Sequence, residues 1–291
     1  MSRALCIFQG TFGRVALLDM SAPLVVHAHS QCHILLKSSG ADAVFSVRGR
    51  DCLLTPDTAI LVNAWEPHAY THLGDERTVI LALYIEPFWL SAIDGAFEHC
   101  AHPHFFPASC VTLTPPIRHF ADRLAKEMLS DRGLDERTLE NLMCDISMHF
   151  SGLRLPTKTS RHEPTCADFR IRRAILHQSE NLTEWRKAHE LAGVAGLSRP
   201  HFFTMFRRVM MLTPNVFFNV LRMEAAIAGL CKSDMPIANV ASELGFSAQS
   251  HFTRFFRHHL GITPSDYRRA VDFVHDKSIV TKGAAQHASS H

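Results

Sequence analysis

One stretch of this chain is written twice. Residues 191–198 read LAGVAGLS and residues 240–247 read VASELGFS, at an offset of 49. After one inserted residue, HFFTMFRRVMMLTP (201–214) matches HFTRFFRHHLGITP (251–264) at an offset of 50, sharing His-Phe, Phe-Arg and the closing Thr-Pro. A period of this length means one supersecondary unit used twice. In each unit a short helix ends at Ala195-Gly196 or Leu244-Gly245, an apolar residue and Ser198 or Ser247 follow, and a second helix begins. Glycine takes the positive φ of such a corner without steric cost, the apolar residue plugs it, and serine accepts from the free N–H groups of the next helix. The unit is a helix-turn-helix. Thr213-Pro214 and Thr263-Pro264 each predict a further helix start, because proline in the first turn loses no hydrogen bond. The first such helix is expected from Pro214 to about Cys231, a length of roughly 27 Å, with Phe217, Val220, Leu221, Ile227 and Ala228 inward.

The second helix of each unit has two faces. Phe252, Phe255 and Phe256, and in the first copy Phe202, Met205, Phe206 and Val209, form apolar stripes at helical spacing. Opposite them lie Gln249, Ser250, Thr253, Arg254 and Arg257, and Arg199, Pro200, Phe203, Thr204, Arg207 and Arg208. Hydroxyls, an amide and guanidiniums on one face suit base edges and phosphates in a major groove, although a single such helix is equally a solvated surface. Phe203 fits either contact with thymine methyls or packing against a neighbouring helix. Charge favours the nucleic-acid reading. Residues 1–150 carry 11 Lys and Arg against 17 Asp and Glu, whereas residues 169–270 carry 14 against 7, so a polyanion-binding footprint is confined to the repeat region. Two readers about 34 Å apart would enter successive major grooves.

The front half has a different texture. LVVHAH, HILLK, AVFSV, AILV and VILALYI fall within residues 24–85, separated by Ser38-Ser39-Gly40, Arg48-Gly49-Arg50 and Pro56-Asp57. Short β-branched runs at this spacing predict an antiparallel sandwich or barrel. Ile117, Phe120, Leu124 and Met128, then Leu139, Leu142, Met143, Ile146 and Phe150, predict a helical hairpin turning near Gly133. LRLPTKTSRHEPTCAD (153–168) has no periodicity and reads as a linker. The eight cysteines form no C-x-x-C pair, which excludes a zinc ribbon or disulfide framework and predicts reduced thiols in a cytoplasmic protein. The apolar run Val79–Ile85 is far shorter than the roughly 20 residues of a membrane-spanning helix. The N-terminus, with Gln9, Gly10 and Arg14, lacks the apolar core of an export signal. No P-loop, nucleophile elbow or G-x-G-x-x-G occurs.

Residues 169–270, above all GFSAQSHFTRFFRHHLGITPSDYR (245–268), resemble the DNA-binding domain of the AraC/XylS family of bacterial transcription regulators, over about a third of the chain. The resemblance implies base-facing positions at Gln249, Ser250, His251 and Arg254 in the second unit, and at Pro200, Phe203 and Thr204 in the first. Where the family usually ends the first reading helix with glycine and places an arginine mid-helix, this chain has Met211 and Thr204. Arg199, Arg207 and Arg208 are then expected to grip phosphate. HAHSQCH (27–33), Gly40 and PDTAILVNAWEPH (56–68) resemble the cupin-type sensor barrel common in that family. His27, His29 and His33 share strand parity, which would place them on one β-face, and His68 follows on a later strand. Enzymatic cupins hold a metal with a similar set, usually with a carboxylate where His33 stands; the other reading is an effector pocket without metal.

The expected architecture is two-domain. A cupin-like antiparallel β-barrel with a helical hairpin (1–152) serves sensing and dimerisation, a linker (153–168) follows, and then comes an all-α double helix-turn-helix (169–270) with a disordered tail (271–291). The expected function is a cytoplasmic, ligand-responsive, sequence-specific regulator that binds double-stranded DNA. By resemblance it is a homodimeric activator that contacts RNA polymerase, with no membrane partner. Its alternative is a metal-dependent cupin enzyme carrying an accessory DNA-binding domain. No obligatory cofactor is implied, a divalent metal in the cupin pocket being the one candidate.

Overall fold

The computed structural model describes residues 2–74, 76–93, 97–98, 100, 105–130, 135–151, 168–180, 190–232 and 235–273. The front half is built on nine strands: β1 (Arg3–Gly10), β2 (Gly13–Met20), β3 (Leu24–His27), β4 (Cys32–Gly40), β5 (Ala43–Val47), β6 (Arg50–Leu54), β7 (Thr58–Val62), β8 (His68–His72) and β9 (Thr78–Ile85). Then come α1 (Pro87–Ile93), β10 (Cys110–Thr112), α2 (Pro115–Met128) and α3 (Glu136–Ser151). The back half holds α4 (Phe169–Glu180), α5 (Glu190–Ala195), α6 (Arg199–Met210), α7 (Pro214–Lys232), α8 (Ile237–Glu243), α9 (Gln249–Leu260), α10 (Pro264–Ala270) and a final strand β11 (Val271–Phe273).

A seven-stranded sheet ordered β10-β7-β4-β9-β2-β1-β11 faces a four-stranded one ordered β3-β8-β5-β6. The side-chain period of two sorts the large sheet's residues. Ile80, Ala82 and Tyr84 of β9 point inward to a core shared with Phe45, Val47, Leu54 and Tyr70 of the small sheet. Leu81, Leu83 and Ile85 point outward to a second core built with Ile117, Leu124, Leu139, Ile146 and Phe150 of α2 and α3. A strand buried on both faces needs an unbroken apolar run, which is why VILALYI shows no alternation.

The paired helices after the sheet match expectation, while the turn near Gly133 and residues 153–167 of the expected linker lie outside the described residues. One part of the sheet was not foreseen and one expectation is corrected. Residues 3–20, which carry no clear strand signal, form β1 and β2, between β9 and β11 in the large sheet. Here β2 sends Val15 and Leu17 to the helical side and Ala16 and Leu18 to the barrel interior, so burial on two faces again hides the alternation. The first three residues of the expected tail form a strand, Ile7↔Val271, Phe8↔Asp272 and Gln9↔Phe273 pairing in parallel, and residues 274–291 lie outside the described residues.

The back half is docked against the barrel. Met223, Ala226, Ile227 and Leu230 of α7, with Phe252, Phe256 and Tyr267, join the barrel's own core. Ala28 and, at its edge, Trp65 join the core around Phe202, Phe206 and Phe217. Both helix-turn-helix units therefore rest on the β-domain, with α7 between them.

Candidate functional site

The two corners of the repeat are built alike. Gly196 and Gly245 adopt φ of +68° and +70°. Leu197 N–H donates to Ala192 O and Phe246 N–H to Ala241 O, each at 2.9 Å. Arg222 on α7 fastens the second corner: its guanidinium donates to Leu244 O at 2.8 Å and lies 3.5 Å from the centre of the Phe246 ring. Burial lowers its pKa to about 10. The serines do not act as expected. Ser198 occupies the N-cap of α6 but makes no side-chain cap bond. Ala248 is the N-cap of α9, and Ser247 Oγ instead pairs with His251 Nδ1 at 3.0 Å. The threonines behave as predicted, Thr263 Oγ1 accepting from Asp266 N–H at 3.1 Å and Thr213 Oγ1 from Val216 N–H at 3.4 Å.

The polar faces of both helices are open. Arg199, Pro200, Thr204, Arg207 and Arg208 on α6, and Gln249, Ser250, His251, Arg254 and Arg257 on α9, are exposed, with Thr253 partly so. Phe203 is half-buried, edge-on to Phe202 at 6.1 Å and 5.8 Å from the Arg199 guanidinium. Phe202, Phe206, Phe252 and Phe256 are fully enclosed. The helices end differently: Gly261 closes α9 at φ +78°, whereas Met211 closes α6 at φ +58°.

The second site lies inside the barrel, where the chain gathers four histidines from separate elements. The expected single β-face is corrected, because the strand stops at His27 and restarts at Cys32. His27 ends β3 opposite His68 of β8, His29 sits in the connection, and His33 on β4 lies opposite Tyr84 of β9. The rings still converge: centroids are 4.3 Å apart for His27–His68, 5.0 Å for His27–His29, 5.1 Å for His29–His33 and 5.4 Å for His33–His68. His33 stacks on Tyr84 at 4.1 Å. Burial, reinforced by neighbouring rings, holds His27, His29 and His33 well below the ordinary imidazole value, and burial alone takes His68 down to about 3. All four are neutral at physiological pH.

The chamber is finished by residues that sequence reading did not single out. Arg14 on β2 is in register with Tyr84, and its guanidinium lies 4.0 Å over that ring and donates to Tyr267 Oη at 3.4 Å. Burial opposes its charge, but Tyr267, Tyr84 and Glu224 around it more than offset this and keep it protonated. Glu224, on α7, is pushed up by burial and drawn down by Arg14. The loop before β8 is set by Glu66, whose carboxylate accepts from Asn63 N–H at 2.8 Å, from Asn63 Nδ2 at 3.0 Å and from Arg48 Nε. Trp65 takes φ +62°, donates its N–H to His29 O at 2.6 Å and stacks on Phe217 of α7 at 5.0 Å. A bulky residue at positive φ is a strained outlier. A cavity between barrel and α7 is lined by His27, His29, Asn219, Met223 and, from α9, His259.

A two-sheet barrel joined to a double helix-turn-helix, with the polar faces of α6 and α9 exposed, is the architecture expected of a DNA-binding transcription regulator. Two family models match: an AraC-like ligand binding domain over residues 24–144 and a helix-turn-helix domain over residues 191–270. The regulatory protein PocR of Salmonella typhimurium is 32% identical over 115 residues, which is 40% of this chain and 38% of PocR, so the chain matches well under half of that relative. The probable transcriptional regulator LumQ of Photobacterium leiognathi is 26% identical over 255 residues, covering 88% of this chain and 95% of LumQ. An apo variant of ToxT from Vibrio cholerae shares the fold at a TM-score of 0.57 and 13% identity, covering 91% of this chain and 99% of its own. The chain thus carries an AraC-like ligand binding domain and a helix-turn-helix domain, and these relatives are named as transcriptional regulators, which favours a DNA-binding regulator over the cupin enzyme that was its alternative. No described helix is long and apolar enough to cross a membrane.

Proposed function

We propose that α6 and α9 read operator DNA and that the histidine chamber is where the effector acts. The observation that carries this reading is the position of α7: one helix joins the two readers and also walls the chamber through Asn219 and Met223. An effector shifts an equilibrium only by its differential affinity for two states, so a ligand touching both domains has a direct lever on reader geometry. Arg254, Gln249, Ser250 and His251, with Pro200, Phe203 and Thr204, contact bases. Arg199, Arg207, Arg208, Thr253 and Arg257 hold the backbone. His27, His29, His33 and His68 form the effector site.

The rest of the regulatory reading follows the family. The protein acts in the cytoplasm as a homodimer that activates transcription by contact with RNA polymerase. Its dimer surface is the outer side of the α2–α3 hairpin, where Leu129 and Met148 are exposed. The test uses the full chain on DNA upstream of its own coding region. Selective binding that weakens steeply with salt supports the reading, through counterion release on phosphate contact. Equal affinity for that region and for unrelated DNA would sink it.

A further inference from the structure

The chamber holds more nitrogen lone pairs than the protein uses. Nε2 of His29, Nε2 of His68 and both ring nitrogens of His33 are buried without a hydrogen-bond partner, so their desolvation is uncompensated. Two of the rings are already oriented for another partner. His27 Nδ1 donates to Val25 O at 2.7 Å and His68 Nδ1 donates to Glu66 O at 3.0 Å. A carbonyl can only accept, so the proton sits on Nδ1 and Nε2 carries the lone pair. A backbone carbonyl fixing the far nitrogen is the usual support behind a metal-binding histidine.

One nitrogen from each of His27, His29 and His68 lies within 4.8 Å of the other two. Metal–nitrogen bonds of about 2.0–2.1 Å place tetrahedral donors roughly 3.4 Å apart, so a contraction of at most about 1.4 Å closes the set. His33 is set aside by its stack on Tyr84, which leaves a fourth position open. Size points the same way. The adjoining cavity has a free volume of about 10 Å³, room for one water-sized occupant and far below the roughly 300–1,000 Å³ of an organic-ligand pocket. We propose that His27, His29 and His68 bind a divalent transition-metal ion of the zinc, nickel or cobalt class. An all-imidazole set with no carboxylate suits those ions and not magnesium or calcium, which take oxygen. The proposal rests on the sensor reading above only for its regulatory meaning, in which the ion, or a small anion in its open position, is the effector.

The experiment uses the full chain stripped of metal by a chelator. Titration with cobalt(II) is followed by visible ligand-field absorption, and zinc(II) affinity by competition with a chromogenic chelator. The expected result is one ion per chain with a tetrahedral cobalt spectrum. Loss of a supporting residue alone costs about 10–100-fold in metal affinity, so H29A and H68A should each lower zinc affinity more than about 100-fold. H72A alters an imidazole that instead pairs with Tyr70, and should leave affinity unchanged. Zinc should raise the melting temperature of the wild type and not of H68A, since an ion bound only by the folded state stabilises it. Circular dichroism checks folding, and H29Q and H68Q replace the alanine variants if these do not fold. Wild-type protein that takes up no stoichiometric ion overturns the proposal, as does binding that survives in both histidine variants, which would place the ion on surface imidazoles. DNA shift assays on the same samples separate the two readings: protein that binds its operator but no ion keeps the regulator and loses the metal site.

Discussion

The aligned ends of the two reading helices permit a reciprocal test. Gly261 closes α9 at φ +78°, and a Cβ placed there would lie 2.9 Å from Met20 Cε and 3.1 Å from Leu24 Cδ2, both on the barrel. G261A thus carries two penalties. Left-handed backbone costs a residue with Cβ about 1–2 kcal/mol. The contact adds about 1 kcal/mol, the low end of overpacking, because Met20 can swing its flexible tip aside. Met211 already bears the first penalty at φ +58°, with its side chain 66% exposed, so removing it sacrifices little packing. M211G should recover about 1–2 kcal/mol of strain, offset by about 0.5–1 kcal/mol of added backbone entropy in the unfolded chain. With the same entropy term credited to G261A, urea unfolding should place it about 1.5–2 kcal/mol below wild type and M211G about 0.5–1 kcal/mol above it. A destabilised M211G would refute the strain argument and show that the methionine side chain makes a contact worth more than its backbone costs.

The two arginines of α9 should separate by readout: R254A should lose about 1–3 kcal/mol and relax preference at one base, whereas R257A should weaken all sequences alike and reduce the salt slope by about 1. Equal losses of R254A on specific and nonspecific DNA would contradict the facing assigned to that helix. A double-mutant cycle of W65A and F217A should give a coupling of about 0.5–1.5 kcal/mol, the worth of an aromatic stack beyond its burial, and additive effects would deny that the stack joins the domains. Asp19 is raised by burial but more strongly lowered by Arg77 and Arg3, so its folded pKa lies below the ordinary carboxylate value. Its stabilisation is therefore complete above an unfolded pKa of about 3.9 and lost as pH falls through the folded value. D19N should show a shallower fall in urea midpoint than wild type from about pH 5 to about pH 3, and parallel curves would exclude this ion pair as the source.

The helical half was legible in detail because its signals are local. A glycine at each corner, threonine-proline at two helix starts and a phenylalanine stripe every three or four residues set the ends of α5 and α8, the starts of α6, α9 and α10 and the span of α7 to within a residue or so. The serines misled, since a residue type favoured at caps says nothing of which hydrogen bond it finally makes; Ser247 turned to His251 instead. The four histidines were found by motif, but the assumption of one continuous strand was wrong, and only the cross-strand register of His27 with His68 brings the rings together. Arg14, Tyr84, Glu224 and Tyr267 were invisible as a group. They stand far apart in the chain and meet only because α7 and α10 dock on the barrel, a contact no local pattern encodes. Strand β2 escaped for the opposite reason, being buried on both faces and so deprived of the period that betrays a strand, and β1 because most of its residues on either face are only half-buried.

The pairing of β11 with β1 bears on how this protein can be divided. β1 would be the outermost strand of the large sheet without it, and β11 follows directly on the DNA-binding half. Cutting the chain between residues 151 and 168 would therefore strip the β-domain of its edge cover, exposing a row of unpaired N–H and C=O groups that invites strand addition from another molecule. The same cut would lay bare the apolar side of α7. Each half is, in part, the other's shield against aggregation.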